Sequence, residues 1–577
     1  MTRSVSDVLQ APARWRYILV LLVLGSASLA LLGRAVQLHV VDQSFLLSQG
    51  DARSIRTEPL DAHRGLISDR HGEPLAISAP VATVYADPFV AELSDADYRQ
   101  LAAALGVSKK WLFKRIDGNK GKRFIYLKRK IAPHDVAKVM ALDLPGIHRR
   151  TEYKRYYPAG EVAAHVVGFT DIDERGQEGV ELSYNEWMTG HPGAKRVMKN
   201  RKGHVIKDLG TVRSAEPGKS IELSLDLRMQ YLAYRELKAA VETHRAISGS
   251  IVILDVSNGD ILAMVNQPSY NPNNRQKLEV SHLRNRAITD VFEPGSPMKL
   301  ATVAAALESK KYTLNSTLDT SPGYFRLGRK SIRDARNYGA LSVQEVVSKS
   351  SNVGASKIAL KLSGDVVWDM FYRLGFGQGT GIGFPGESIG KLPDPSRWKP
   401  IEVATMSYGY GMSVNALQLA QSYMILGNGG NKYPLSLIKR SGPIAAESVF
   451  ESSVSESVRD AMAAVVAKGG TGTRAQVPMY RVGGKTGTVH RIGQHGYEKS
   501  EYKAIFAGVA PIDKPVIAMA VVIDSPQGQE YYGGEVAAPV FSRVVAESMR
   551  LLGVTPDAEL VSRPSYAAHK TLRPGEG

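Results

Sequence analysis

Three short groups of residues stand in the order that an acyl-accepting serine needs: Ser296-Pro297-Met298-Lys299, Ser350-Ser351-Asn352 and Lys485-Thr486-Gly487. A serine hydroxyl is a weak nucleophile until a base takes its proton. Ser296 follows Glu293-Pro294-Gly295 and precedes a proline, a residue well tolerated at the first helical position, so the serine is predicted at a helix N-terminus. Lys299, three residues on, shares its helix face and when neutral can accept the hydroxyl proton. The positive end of the helix favours loss of the ammonium proton and stabilises an alkoxide. The Ser350 hydroxyl can relay a proton between a lysine and a leaving amine, and the Asn352 amide can orient a peptide and the lysine. Lys485 supplies a fixed positive charge, Thr486 a hydrogen bond to a terminal carboxylate, and Gly487 a place where a substrate backbone comes close. The backbone N–H groups of Thr488 and Ser296 can form an oxyanion hole.

No single group decides the matter. Ser-x-x-Lys recurs at Ser436/Lys439 and Ser500/Lys503, and Ser-x-Asn at Ser183, Ser269 and Ser413. Alone, Ser296 reads as a helix cap beside a solvated lysine, Ser350 to Asn352 as a turn between helices, and Lys485 as part of an exposed Gly-rich hairpin. Only one choice of the three gives a serine opening a helix, a polar helix-edge turn and a Gly-flanked strand in that order.

These groups need a scaffold. Ser250 to Asp255 and Asp260 to Val265 read as two strands joined by the turn at 257–260, after a helix over Arg228 to Val241 and a strand over Ser220 to Asp226. LATVAAALES after Lys299 is strongly helical, Ile505–Val509 and Val516–Ile523 read as buried strands, and Pro539–Leu552 as a closing helix. The pattern predicts an α/β fold of the α+β type, with an antiparallel sheet flanked by helices. Residues 39–218 are punctuated by Gly and Pro and predict a mixed pedestal or interaction domain, with helical patches near 95–105 and 133–142. Residues 219–560 form the expected catalytic domain, and the polar 561–577 a disordered tail.

The chain has 577 residues, no cysteine and a net charge of +17. Thiolate metal sites and disulfides are therefore excluded, and no cluster has metal-ligand spacing, so no metal or cofactor is expected. The basic balance suits an anionic membrane or wall polymer, and no nucleic-acid motif accompanies it. Residues 15–38 predict one transmembrane anchor around the uncharged run Tyr17 to Gly33, and Arg3, Arg14 and Arg16 predict a cytoplasmic segment 1–14. The remainder then lies on the outer side of that membrane.

The three groups, with Arg64-Gly65 to Gly72, Gly160-Glu161 to Phe169, Pro268 to Asn274, Arg286 to Lys299, Tyr408-Gly409-Tyr410-Gly411 and Tyr531-Tyr532-Gly533-Gly534, make the chain resemble the class B, monofunctional penicillin-binding proteins, most closely their division-specific branch. The resemblance runs from the anchor to about residue 555. It implies a penicillin-binding, serine β-lactamase-like domain, acylation of Ser296 with Lys299 as base, and a proton-transfer and binding network of Ser350, Asn352 and Lys485. It implies substrate contacts from Thr486, Gly487 and Thr488, and a cleft lined by Tyr410, Tyr531 and Tyr532. The implied reaction is peptidoglycan D,D-transpeptidation at the septum, on stem peptides ending in D-Ala-D-Ala, blocked covalently by β-lactams. The implied partners are an FtsW-type septal glycosyltransferase and other division proteins. Family members commonly carry Thr or Ser where Pro297 stands, and smaller residues at His490 and Arg491, which leaves open a specialised paralogue. A D,D-carboxypeptidase and a membrane-anchored scaffold or β-lactam sensor are the alternatives. A class A β-lactamase would carry Glu-x-x-Leu-Asn between the second and third groups, and this chain does not.

Overall fold

The computed structural model describes residues 14–200, 205–493 and 496–557. The expected tail 561–577 and nearly all of the expected cytoplasmic segment lie outside them. Residues Arg14–Val36 form an exposed α-helix about 35 Å long at 1.5 Å per residue. With the following turn, Arg14–Val41 is the one helix among the described residues long and apolar enough to cross a membrane.

The chain divides into two compact units that interleave along the sequence. One comprises Met1–Ala62, Pro80–Tyr153 and Gly190–Pro217; the other comprises His63–Ala79, Lys154–Thr189 and Gly218–Gly577. The region 39–218 thus contributes to both units.

In the first unit, strands Ile55–Leu60, Gly193–Lys199 and Val205–Arg213 form an antiparallel sheet. Helices Asp95–Leu105 and Pro133–Met140 occupy the predicted helical patches, and Lys109–Asp117 is a third helix outside them. Their starts are encoded locally. Ser94 and Asp97 form a reciprocal capping box, Ser108 accepts from the N–H of Trp111, and Pro133 opens the third helix. Leu101, Leu105, Leu112, Ile116, Val136 and Val139 pack with Val84 in the core of this unit.

In the second unit, five strands run antiparallel in the order Ile261–Gln267, Ser248–Asp255, Ile517–Asp524, Gly496–Ala510, Gly483–Gly493. The predicted hairpin and both late strands are present. Alternate residues feed opposite cores, as the two-residue period of a strand requires. Ile251, Ile253, Phe506, Met519 and Val521 pack under helices Leu227–Thr243 and Gly533–Leu551. Val252, Leu254, Ile505, Ala507 and Ala520 pack toward helices Lys299–Glu308, Ala416–Gly427 and Ser452–Val466. Each fully buried branched or aromatic side chain contributes roughly 1.5–3 kcal/mol.

Two expectations shift. Only Ile221–Glu222 of the expected strand Ser220–Asp226 is regular, because Asp226 turns away to cap the next helix through the N–H groups of Arg228 and Met229. The closing helix starts at Gly533, six residues before Pro539. There the Glu535 side chain bonds the Tyr532 N–H, and Pro539 lies inside the helix. A buried ion triad also holds this unit. Glu181, 0% exposed, takes Arg64 Nε at 2.6 Å on one oxygen and Arg155 Nε at 2.7 Å on the other.

Candidate active site

The turn carrying Ser296 is held from several sides. Ser296–Met298 form a 3-10 turn and the α-helix proper begins at Lys299, so Ser296 sits one short turn before the expected helix start. Pro297 fits this turn because the bond is made by the Met298 N–H to Gly295 O at 3.0 Å. Gly295 has φ +64°, and a Cβ there would stand 2.4 Å from Val489 Cγ1, so glycine is required. The Tyr423 hydroxyl, deep in the core, donates to Pro297 O at 3.1 Å.

Lys299 is 0% exposed. Its Nζ stands 2.8 Å from Ser296 Oγ, 2.8 Å from Ser350 O, 3.0 Å from Ser350 Oγ and 2.8 Å from Asn352 Oδ1. Ser350 Oγ in turn donates to Ser296 Oγ at 2.9 Å. Burial, and next the nearby Lys485 charge, hold the Lys299 amine well below its ordinary pKa, while Asp334 acts in the opposite direction. An amine so placed is neutral more readily and can receive the Ser296 proton.

The second group ends one helix and begins another. Helix Val343–Ser348 closes with the Ser350 N–H on Val347 O and the Ser351 N–H on Val346 O, a Schellman arrangement. Its left-handed position, usually glycine, is Ser350 at φ 61°. Ser351 then caps helix Asn352–Leu362 through the Gly354 N–H. Beneath the turn, Asp334 accepts from Ser351 Oγ at 2.6 Å, the Asn352 N–H at 2.6 Å and the Val353 N–H at 3.0 Å. Nothing in its sequence context marked Asp334.

The third group lies on strand Gly483–Gly493, at the edge of the five-stranded sheet. Lys485 is 0% exposed and burial brings its amine down to about 7. Its Nζ bonds Thr486 O at 3.1 Å and Thr486 Oγ1 at 3.3 Å, so it is near the Lys299 cluster by charge, while its hydrogen bonds are to its own strand. Thr486 Oγ1 donates to Thr471 Oγ1 at 3.0 Å, a contact with no sequence signal. Thr488 Oγ1 accepts from the Gly533 N–H at 2.9 Å. Gly487 is hemmed in on its side-chain face. A Cβ there would meet Pro297 Cδ at 2.8 Å, so the strand packs directly on the proline ring of the Ser296 turn.

Aromatic rings extend from strands Gly483–Gly493 and Gly496–Ala510 to the loops around Tyr410 and Tyr531. His490 packs on Tyr502 at 4.7 Å between centroids, Tyr502 on Tyr531 at 4.6 Å, and Tyr531 on Tyr532 at 4.4 Å. Tyr410 lies 5.6 Å from Tyr408 and 6.5 Å from Tyr497. Both His490 and Arg491 are inside the strand rather than after it, with Arg491 ion-paired to Glu501 on the neighbouring strand.

A serine whose hydroxyl meets a buried lysine and a second serine, on a helix set against the edge of an antiparallel sheet, defines an active-site-serine acyltransferase domain. Residues 249–546 match the family described as penicillin binding protein transpeptidase domain, and residues 59–223 the penicillin-binding protein dimerisation domain. The chain is 43% identical over 551 residues to the peptidoglycan D,D-transpeptidase FtsI of Escherichia coli K12, covering 94% of this chain and 93% of that one. It is 40% identical over 553 residues to the probable peptidoglycan D,D-transpeptidase PbpC of Pseudomonas aeruginosa, covering 96% and 98%. Among solved structures, the transpeptidase domain of Burkholderia pseudomallei penicillin-binding protein 3 aligns with TM-score 0.54 and 40% identity, over 58% of this chain and 98% of that one. Penicillin-binding protein 3 of Mycobacterium tuberculosis, solved with aztreonam, aligns with TM-score 0.68 and 25% identity, over 87% and 98%. The chain belongs to the class B penicillin-binding proteins, of the FtsI type.

Proposed function

We propose that this protein is a peptidoglycan D,D-transpeptidase, anchored in the inner membrane, that cross-links stem peptides through an acyl-enzyme on Ser296. The observation that carries this reading is the buried Lys299 amine 2.8 Å from Ser296 Oγ. In the first half-reaction, Ser296 Oγ attacks the carbonyl carbon of the terminal D-Ala-D-Ala amide and its proton passes to Lys299 Nζ. The oxyanion meets the backbone N–H groups of Ser296 and Thr488. The C–N bond then breaks. The leaving D-Ala amine takes a proton through the Ser350 hydroxyl, which lies 3.0 Å from Lys299 Nζ and 2.9 Å from Ser296 Oγ. In the second half-reaction a side-chain amine of a neighbouring stem attacks the ester, loses its proton to the same relay and releases Ser296. Asn352 holds Lys299 and the donor peptide, while Lys485 and Thr486 bind the terminal carboxylate. The donor backbone lies along the edge strand Gly483–Gly493 as an added strand, between Tyr410 and the Tyr531–Tyr532 pair.

β-Lactams present the same amide carbonyl and carboxylate and leave a persistent ester, since no carboxylate in a recognisable motif stands ready to activate water. The basic flank Arg3, Arg14 and Arg16 supports a cytoplasmic N-terminus and a periplasmic catalytic unit. Kinship with FtsI supports septal work beside an FtsW-type glycosyltransferase and other division proteins. The test is mass mapping after exposure of the full chain to a labelled penicillin. One adduct on Ser296, persisting for minutes or longer, is expected. A label on Ser436 or Ser500, or rapid catalytic release of penicilloic acid without acyl transfer to a D-amino acid, refutes the reading.

A further inference from the structure

Three residues before the nucleophile lies a buried carboxylate to which the reaction gives no part. Glu293 is 6% exposed. One oxygen accepts the Gly411 N–H at 2.8 Å and the other accepts the Tyr497 hydroxyl at 2.9 Å. The two donors come from opposite walls. Gly411 belongs to the loop that grips the nucleophile turn through Gly295 N–H to Gly409 O at 3.1 Å and the Phe292–Val414 pair of backbone bonds at 2.9 Å each. Tyr497 belongs to strand Gly496–Ala510, where it pairs with Ile492 at the far end of the strand that carries Lys485, Thr486 and Thr488. Near the motif those walls already touch, through Gly487 against Pro297 and Gly295 against Val489. Glu293 adds a second tie, at the other end of the same pair of strands.

We propose that Glu293 is a positioning residue that, through Tyr497, fixes the separation between the Ser296 turn and the strand bearing Thr488. Two points of attachment prevent the strand pair from pivoting about the Gly487–Pro297 contact. The two N–H groups proposed for the oxyanion sit on the two tied walls, so their spacing depends on that attachment. Oxyanion donors act only when fixed at the right distance before the reaction begins.

The inference rests on Ser296 being the acylated residue, and its test separates the two. Full-length protein in detergent is titrated with a chromogenic penicillin, and the binding constant and the acylation rate constant are resolved by rapid mixing. Tyr497→Phe removes one hydroxyl at a half-exposed ring. It is expected to slow acylation about tenfold with binding and melting temperature unmoved, since small misplacements of reacting groups cost this much or more. Glu293→Ala is expected to slow it about a hundredfold. The double variant should match Glu293→Ala within about twofold, because the tyrosine acts through the carboxylate. Glu293→Gln keeps an oxygen for Gly411 and an amide donor for the tyrosine oxygen, and should retain most of the rate. A wild type that acquires no adduct overturns both readings. A reactive wild type with Tyr497→Phe unchanged, with losses that multiply in the double variant, or with losses confined to melting temperature or binding overturns this one alone.

Discussion

The Ser350 hydroxyl donates to Ser296 Oγ at 2.9 Å across 54 residues of sequence, and the same oxygen lies 3.0 Å from Lys299 Nζ. The proposed nucleophile, base and relay therefore form a closed triangle of polar atoms. A proton leaving Ser296 can reach the leaving-group side without crossing bulk water. That closure makes the effect of removing each corner predictable.

Lys299→Met deletes the amine while keeping a long apolar stem in a fully buried site. Acylation by penicillin should fall about 10²–10⁴-fold, the range typical for loss of a general base. Melting temperature should hold within a few degrees, since a buried ionisable group gives way to an apolar one of similar volume. Stopped-flow acylation beside a thermal melt measures both. A rate within threefold of wild type would move the base elsewhere.

Opposite pH dependences are expected from the two buried lysines. Lys299 must be neutral to take a proton, so acylation rises with pH through its depressed pKa. Lys485 must be charged to hold a carboxylate, so affinity for penicillin falls as pH climbs above about 7. The folded pKa of Lys485 lies below its unfolded one, so the unfolded chain carries the extra proton between the two values. Stability should therefore rise with pH from about 7 to about 10 relative to Lys485→Met, as followed by urea unfolding.

Asp334→Asn tests the layer beneath the second group. The carboxylate holds Ser351 Oγ, the Asn352 N–H and the Val353 N–H, and its charge raises the Lys299 pKa. Neutralising it should cost about 1–3 kcal/mol of stability. It should also shift the acid limb of the acylation profile to lower pH, which a purely structural loss would leave in place.

Gly487→Ala places a methyl 2.8 Å from Pro297 Cδ and 3.2 Å from Ile505 Cβ. The strand and the nucleophile turn must separate to admit it, so acylation should drop at least about tenfold. Pro297→Ala removes the ring and should restore most of that loss in the double variant. Equal rates for Gly487→Ala and wild type would disprove the contact.

Membrane topology has a clean readout because the chain has no cysteine. In intact cells, an impermeant maleimide should label Thr57→Cys and leave Ser6→Cys unlabelled until the membrane is opened. The reverse pattern would invert the proposed orientation.

The clustering of these groups was legible because Ser296–Lys299 and Ser350–Asn352 are short local patterns whose spacing survives into space. The sheet was legible where runs such as Ile505–Val509 are apolar on both faces. What supports the site was not. Asp334, Thr471 and Glu293 act across 18, 15 and 118 residues respectively, and no local pattern encodes such a distance. Gly487 has a packing role that the sequence did not show, for a related reason. Its missing side chain is explained by the ring of Pro297, a partner 190 positions away whose departure from the family pattern gave no hint of the contact. Capping also moved two boundaries. Asp226 cut a strand short, and Glu535 began the last helix ahead of its proline.

The left-handed backbone at Ser350 sets chemistry against durability. Helix termination at that point favours glycine, whose missing Cβ removes a strain on the order of 1 kcal/mol. Ser350→Gly would relax the turn and delete the proposed relay hydroxyl in one step. On the proposed relay, selection for heat resistance alone would drift toward a sturdier, inert protein, with the cross-linking reaction pulling the other way.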